Sequence, residues 1–346
     1  MRKVIFICPF DINQLTGTPI RAKTVIECVS NFCDTSVISA GNAKFSQFSL
    51  KAIKQIRLLK PDIIHGFSTV SIMPMLLYKL LHPKTKFIFE VHGWSWFETK
   101  GQLGIWKRII FLLLDIVGYI FANGVIVMSY TQKDYISKIL YSKKNLNVIW
   151  GPVDFPILFE KLQARKYLLV GYQGNSSWWQ GLGILMETAK ILEGVPYIKF
   201  QLAGFDHSDK SKFPNTSNII YKGKFQREDA SKLIKNCDVM VSPRLAGKVS
   251  DLQYPQKLSE YLAAGRPVIG SSVSDQRVIL EQSKAGFVLK DLSAQKLAEA
   301  IEKFSKLPKE EKTELGKNAI KFAERNFSPT VFNQKLKAVY NQLNQS

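Results

Sequence analysis

The sequence predicts an α/β protein of two doubly wound parallel sheets, each with its own core, followed by a C-terminal helix. Three observations carry that prediction. Short β-rich runs alternate with helical stretches through the first half, the same rhythm restarts near residue 167, and a Gly-Pro-Val-Asp-Phe-Pro connector at 151–156 separates the two series. A chain of 346 residues with 46% hydrophobic content also exceeds the size at which one core usually divides. The expected domains are residues 1–155 and 156–328, with a helix at 329–346 long enough to pack back onto the first.

The first apolar run, Lys3-Val-Ile-Phe-Ile-Cys8, ends at Pro9 and is too short for a signal peptide, so it reads as a strand. Further strands are expected at 35–39, 62–67, 86–91, 124–129 and 146–149, between helices at 18–30, 50–60, 70–81, 103–121 and 131–140. The apolar stretch 109–128 has nearly the length of a membrane span. Asp115, Gly118, Asn123 and Gly124 interrupt it, however, and a helix running into a strand explains it better. The second series places strands at 167–172, 197–202, 218–221, 238–242, 267–270 and 286–289, around helices at 182–192, 228–235, 256–264 and 276–281. Gly265 and Pro267 stop the third of these helices, and beyond Ser293 the chain is helical in character. In open parallel sheets ligands bind outside the carboxyl ends of the strands. Two such sheets facing across a cleft would place the chemistry in the loops that follow strands.

Composition narrows the partners without choosing one. A net charge of +20 and a pI near 9.7 draw the chain toward polyanions: nucleic acid, anionic lipid or phosphorylated substrates. The lysines are scattered, with no run beyond pairs such as Lys143-Lys144, and no zinc-finger, RRM-like or GXXG pattern accompanies them. Cys8, Cys28, Cys33 and Cys237 form no CxxC pair and read as reduced, buried thiols. A cytoplasmic protein is expected. The apolar-basic segment at Trp106, Lys107 and Arg108 offers contact with the inner face of an anionic membrane as one explanation of the charge.

Four segments carry candidate chemistry. After the first strand, Gly17 permits close backbone approach, Thr18 is placed to cap a helix and Pro19 fits its first turn, so the free amides there could face a phosphate. Glu90 and His92 alternate at the end of a strand and point the same way, so His92 could bind a hydroxyl or move a proton; His65 reads as a core histidine. The strand at 167–172 leads through Gly174, Asn175 and Gln180 into a helix, a glycine-bearing loop suited to a diphosphate that is neither a dinucleotide fingerprint nor a Walker loop. The most informative segment runs from Ser242-Pro243-Arg244 to Lys257-Leu258-Ser259-Glu260. Its helix start favours phosphate, Glu260 as an ionised acceptor suits a ribose diol, and Arg244 and Lys257 could neutralise charge on a departing diphosphate.

In this order the chain resembles the family-four retaining glycosyltransferases of GT-B fold over nearly its whole length. The matching pieces are Pro61-Asp-Ile-Ile-His65, Glu90-Val-His92-Gly93, Gly124-Val-Ile-Val-Met-Ser129, Gly151-Pro-Val-Asp154, Gln180-Gly181-Leu, Lys222-Gly223-Lys224-Phe225, Ser242-Pro243 and Lys257-Leu-Ser-Glu260 through Gly265-Arg-Pro267. The resemblance implies a hexosyltransferase-type enzyme that uses a nucleotide-diphosphate sugar as co-substrate, a sugar- or lipid-linked acceptor and no other cofactor. It also implies retention, with the leaving diphosphate assisting as base, and a role in cell-surface polysaccharide, lipopolysaccharide or glycolipid synthesis. Glu260 would bind the donor ribose, and the amides of Leu258 and Ser259 would meet the diphosphate. Gly204, Lys224 and Phe225 would border the base, His92 would sit near the transferred sugar, and Gly17 and Thr18 would close on the donor. The absence of an Asp-x-Asp motif points away from a metal ion.

Two positions depart from the family pattern. Its Arg and Lys in the loop before the first helix of the second domain are here Asn175 and Gln180, and the earlier Glu of its paired-carboxylate motif is here Leu252, beside Asp251. A branch of the family carries Gln-Gly there, so Arg244 and Lys257 are expected to supply the missing positive charge. The competing expectation is a catalytically inactive GT-B-like protein that binds a polyanion or nucleic acid, recognisable by salt-sensitive binding without donor hydrolysis.

Overall fold

Strands form where the apolar runs lie, and most are buried on both faces, as expected when helices cover both sides of a parallel sheet. The computed structural model describes residues 1–14, 17–41, 45–141, 145–160, 164–206 and 216–343. In the first sheet β1 (Lys3–Cys8), β2 (Asp34–Ser39), β3 (Ile63–Phe67), β4 (Lys86–Val91), β5 (Gly124–Val127) and β6 (Leu146–Val148) take the order β2-β1-β3-β4-β5-β6. In the second, β7 (Leu168–Gln173), β8 (Ile198–Ala203), β9 (Ile219–Tyr221), β10 (Val239–Ser242), β11 (Val268–Ser271) and β12 (Gly286–Leu289) take the order β12-β11-β10-β7-β8-β9. Every pairing is parallel.

Both orders reverse direction once, between β1 and β3 in the first sheet and between β7 and β10 in the second. Chain crossovers leave on opposite sides at such a point and open a crevice at the strands' carboxyl ends. The chain divides into two units, Met1–Trp150 with Phe332–Ser346 and Gly151–Val331. Each has its own core. The first packs Val4, Phe6, Ile63, Ile88 and Ile126 against Phe332, Leu336, Val339, Tyr340 and Leu343. Those last five side chains fall on one stripe around the C-terminal helix Pro329–Gln342 and its end. The second core gathers Val170, Tyr172, Leu185, Phe200, Ile301 and Phe304.

Several local features differ from the sequence expectations. Helix Gly17–Ser30 begins one residue early, so Thr18 lies inside its first turn rather than capping it; Leu15 and Thr16 of the preceding loop lie outside the described residues, as do Lys143 and Lys144. A short helix, Ser95–Glu98, stands unexpectedly before the one expected at 103–121, which runs Ile105–Phe121. The segment between Arg244 and Pro255, expected as loop, holds a short helix at Lys248–Leu252. No helix among the described residues is long and apolar enough to cross a membrane. The four cysteines are buried and free, and burial pushes the Cys8 thiol up to about 12.

Candidate active site

Two of the four segments expected to carry chemistry meet at the switch point of the second sheet. β7 leads into Gly174-Asn175, β10 into Pro243-Arg244, and helix Gln256–Ala263 delivers Lys257 and Glu260. Tyr261 of that helix fastens it to the strand end: its hydroxyl accepts from the Gln173 amide at 3.0 Å and donates to the Gln173 carbonyl at 2.9 Å. The Trp178–Gln180 turn is drawn in by a close approach. Gly181 has φ +70°, and a Cβ there would lie 1.6 Å from the Pro243 carbonyl oxygen.

Lys257 is the centre of this arrangement. Its Nζ donates to Gln180 Oε1 at 2.8 Å and to the Tyr172 hydroxyl at 3.4 Å, and it stands 4.5 Å from the centroid of the Tyr172 ring. A Cβ on Gly174 would fall 2.2 Å from the same nitrogen, so the glycine makes room for the amine. Burial, and then the positive charge of Arg244, bring the ammonium down from 10.5 to about 7, against a smaller opposing pull from Glu260. Arg244 is only 3% exposed, and burial brings its guanidinium down to about 10. Its Nη2 donates to the carbonyls of Ser250 at 2.8 Å and Gln253 at 3.4 Å, while its Nε has no partner. Among the described residues neither cation has a carboxylate within ion-pair range. Asp251 and Glu260 act on them only from beyond that range; two desolvated cations so weakly compensated are costly in a fold, and their natural complement is an anion brought from outside.

Glu260 is 5% exposed. Its Oε1 lies 2.8 Å from Arg227 Nη2, and Arg227 also grips Asp154 through Nε at 2.8 Å and Nη2 at 3.0 Å. Burial raises the Glu260 carboxyl, and Arg227 works against that rise. Around the mouth, Gly204 has φ +105° and touches Gly174 backbone to backbone, since a Cβ would fall 2.7 Å from the Gly174 oxygen. Lys224 is exposed and pairs with Asp206 at 2.7 Å, and Phe225 is half-buried. Asn175 closes its own turn, its Oδ1 accepting from the Ser177 amide at 3.1 Å.

At the helix start the Leu258 amide is not presented as expected. The chain turns at Pro255, so the Leu258 amide already donates to the Pro255 carbonyl at 2.8 Å. Ser259 is fully buried with its hydroxyl on that of Tyr254. From this helix it is the Lys257 side chain that reaches the glycine loop.

The first unit holds a second constellation at the end of β4. The buried carboxylate of Glu90 accepts from Arg21 Nε at 2.8 Å and from His92 Nε2 at 3.0 Å, and His65 Nε2 lies 3.3 Å from its other oxygen. Burial pushes Glu90 up, but Arg21 and the two imidazoles outweigh it and hold the carboxyl well below its usual range. With Nε2–H given to Glu90, His92 Nδ1 accepts from the Thr18 hydroxyl at 3.0 Å. Burial lowers His65, against the pull of Glu90, and so favours its neutral form; its Nδ1 meets the Tyr340 hydroxyl of the C-terminal helix at 2.8 Å. Glu90 and His92 thus share a side, as their alternation implies, but both nitrogens of His92 are held within the protein. A Cβ on Gly17 would meet nothing within 4 Å, so its backbone is open to approach.

Comparison with known proteins gives this geometry its context. The model of the "Glycosyl transferases group 1" matches residues 154–322, and that of "Glycosyltransferase Family 4" matches residues 5–155. Both models are of glycosyltransferases, and together they span residues 5–322. It is similar to the putative colanic acid biosynthesis glycosyltransferase WcaL of Escherichia coli, 27% identical over 116 residues, which span 33% of this chain and 29% of that protein. Among solved structures, sucrose-phosphate synthase of Thermosynechococcus elongatus superposes with TM-score 0.78 at 16% identity over 100% of both chains. HepE of Anabaena, solved with UDP and glucose, does so with TM-score 0.73 at 16% identity, covering 99% of this chain and 100% of that one. At such identities the likeness establishes the shared GT-B fold.

Within this glycosyltransferase, Gly174, Gln180, Arg244, Lys257 and Glu260 gather at one switch point, and Thr18 and His92 meet at the other. The Leu258 amide is turned to an internal bond, and the Ser259 hydroxyl rests on that of Tyr254. Sequence reasoning missed Arg227, which secures Glu260 from 33 positions away, and Tyr172, whose ring carries Lys257. No local pattern marks Arg227, but the aromatic at the end of β7, directly before the glycine loop, was a signal for Tyr172.

Proposed function

We propose that this glycosyltransferase moves a sugar from a nucleotide-diphosphate sugar to a sugar- or lipid-linked acceptor, with retention of anomeric configuration and without a metal ion. The observation that carries the proposal is the pair Lys257 and Arg244, weakly compensated cations beside the buried carboxylate of Glu260. In this reading the diphosphate lies against Lys257, Gln180 and the Gly174 loop, and Glu260, steadied by Arg227, accepts from the ribose hydroxyls. Gly204, Lys224 and Phe225 border the base. The bond from the anomeric carbon to the diphosphate oxygen breaks, and the acceptor oxygen bonds to that carbon on the same face. The acceptor's proton passes to the departing diphosphate, whose growing charge Lys257 and Arg244 stabilise. The first unit takes the acceptor side of the reaction, with His92 oriented by Thr18 and Glu90.

HepE has been solved with UDP-glucose, WaaB is a lipopolysaccharide outer core galactosyltransferase, and WcaL is named for colanic acid synthesis. These relatives support a place in polysaccharide or lipopolysaccharide assembly. Proton NMR of the slow hydrolysis or transfer of UDP-sugars and GDP-sugars tests the stereochemistry. The first-formed sugar should keep the donor's anomeric configuration, whereas an inverted product would rule out retention.

A further inference from the structure

Three neighbouring helices of the first unit, Phe45–Leu59, Ile72–Leu81 and Ile105–Phe121, pack side by side and leave a broad apolar face uncovered. Along the last of them Trp106, Ile110, Leu113 and Ile120 are 77%, 54%, 55% and 61% exposed. Their spacing of four, three and seven residues sets them on one side of the helix, a stripe about 21 Å long. Leu80 on the second helix and Leu58 on the first are also largely exposed. Isolated surface apolar residues need no explanation, but a helical stripe of them beside further exposed leucines on two helices packed alongside marks an interaction surface.

Charge selects the partner. Lys51, Lys54, Arg57 and Lys107 are exposed on the same helices. The one acid in the three helices, Asp115, is buried, where it accepts from Thr69 and Ser95. Arg108 is not available, since its guanidinium lies 4.2 Å over the Trp96 ring and donates to the Trp96 carbonyl. We infer that this face docks on an anionic phospholipid bilayer, with Trp106 and the aliphatic stripe in the headgroup boundary and the lysines among lipid phosphates. A second copy of the chain fits the face poorly. A two-fold contact would set unbalanced cations against themselves.

The inference deepens the acceptor side of the proposed function and is tested without a sugar donor, so its failure and the failure of the donor site are separable. Full-length protein is sedimented at low salt with extruded vesicles of equal parts phosphatidylglycerol and phosphatidylcholine, or of phosphatidylcholine alone. Binding is expected to the anionic vesicles only. Lys51→Gln, Lys54→Gln and Lys107→Gln should each lower it about fivefold, the equivalent of ~1 kcal/mol per cation near such a surface. Trp106→Ser with Leu113→Ser should lower it further without moving the melting temperature. Wild-type protein left in the supernatant with anionic vesicles would overturn the inference, as would undiminished binding by the triple lysine variant. A concentration-dependent dimer abolished by Trp106→Ser would do so too, giving the face to a second copy.

Discussion

Lys257 is placed where its charge is hardest to keep. Its ammonium sits near 7 in the fold against an ordinary 10.5, so between those values the unfolded chain binds the extra proton. Stability contributed by this residue therefore rises with pH across that window. Lys257→Met should raise the melting temperature at neutral pH while weakening nucleoside diphosphate binding, a trade that marks a functional rather than a structural lysine. A diphosphate binds the ammonium form, so calorimetric affinity for UDP should be full at about pH 6 and clearly weaker at about pH 9. An affinity flat with pH would remove Lys257 from the diphosphate. Gln180 accepts from Lys257 at 2.8 Å, which explains why no second cation stands in that loop: two ammonium groups so close repel by several kcal/mol at an effective dielectric of ~20. Gln180→Lys should accordingly lose activity, and Gln180→Lys with Lys257→Gln should recover part of it in a transfer assay. Arg227 favours the ionised form of Glu260 against the burial that raises its carboxyl, so Arg227→Gln should make UDP binding fall off at a higher pH as the medium is acidified, and Arg227→Lys should restore part of the wild-type profile.

At the scale of elements, the twelve strands among the described residues were legible because most are short apolar runs bounded by Gly, Pro or polar residues, and a parallel sheet buries such runs on both faces. Lys248–Leu252 was not, because five residues after a glycine show no helical period. The gathering of Lys257, Glu260, Arg244 and Gln180 followed from their places at strand ends. The direction of each side chain did not, because tertiary partners decide it: Arg244 is turned onto the Ser250 carbonyl and His92 onto Glu90. The C-terminal helix shows what holds an element in place. Leu336 is fully buried in the first core, and Leu336→Ala should destabilise by about 2–5 kcal/mol through lost burial and the cavity left behind. Urea unfolding followed by tryptophan fluorescence would read this, and a loss below about 1 kcal/mol would mean the helix adds little to that core.

For the molecule as a whole, two sheets with the same doubly wound logic serve different ends. The first buries its charged cluster, closing Glu90 among Arg21, His65 and His92. The second leaves Lys257 and Arg244 only weakly compensated at its switch point. A fold keeps such an imbalance where a ligand supplies the missing charge. The net charge of +20 acts on the whole molecule, favouring phosphorylated donors and an anionic surface alike. The donor site is tested most directly by thermal melting with a panel of nucleoside diphosphates. A diphosphate at a hundred times its dissociation constant adds about 2.7 kcal/mol, or about 5–10 °C in a unit of this size. The expected result is such a shift for one base, lost in Glu260→Ala. A well-folded protein that shifts with no nucleotide, or a shift that survives in Glu260→Ala, would contradict a donor site at this position.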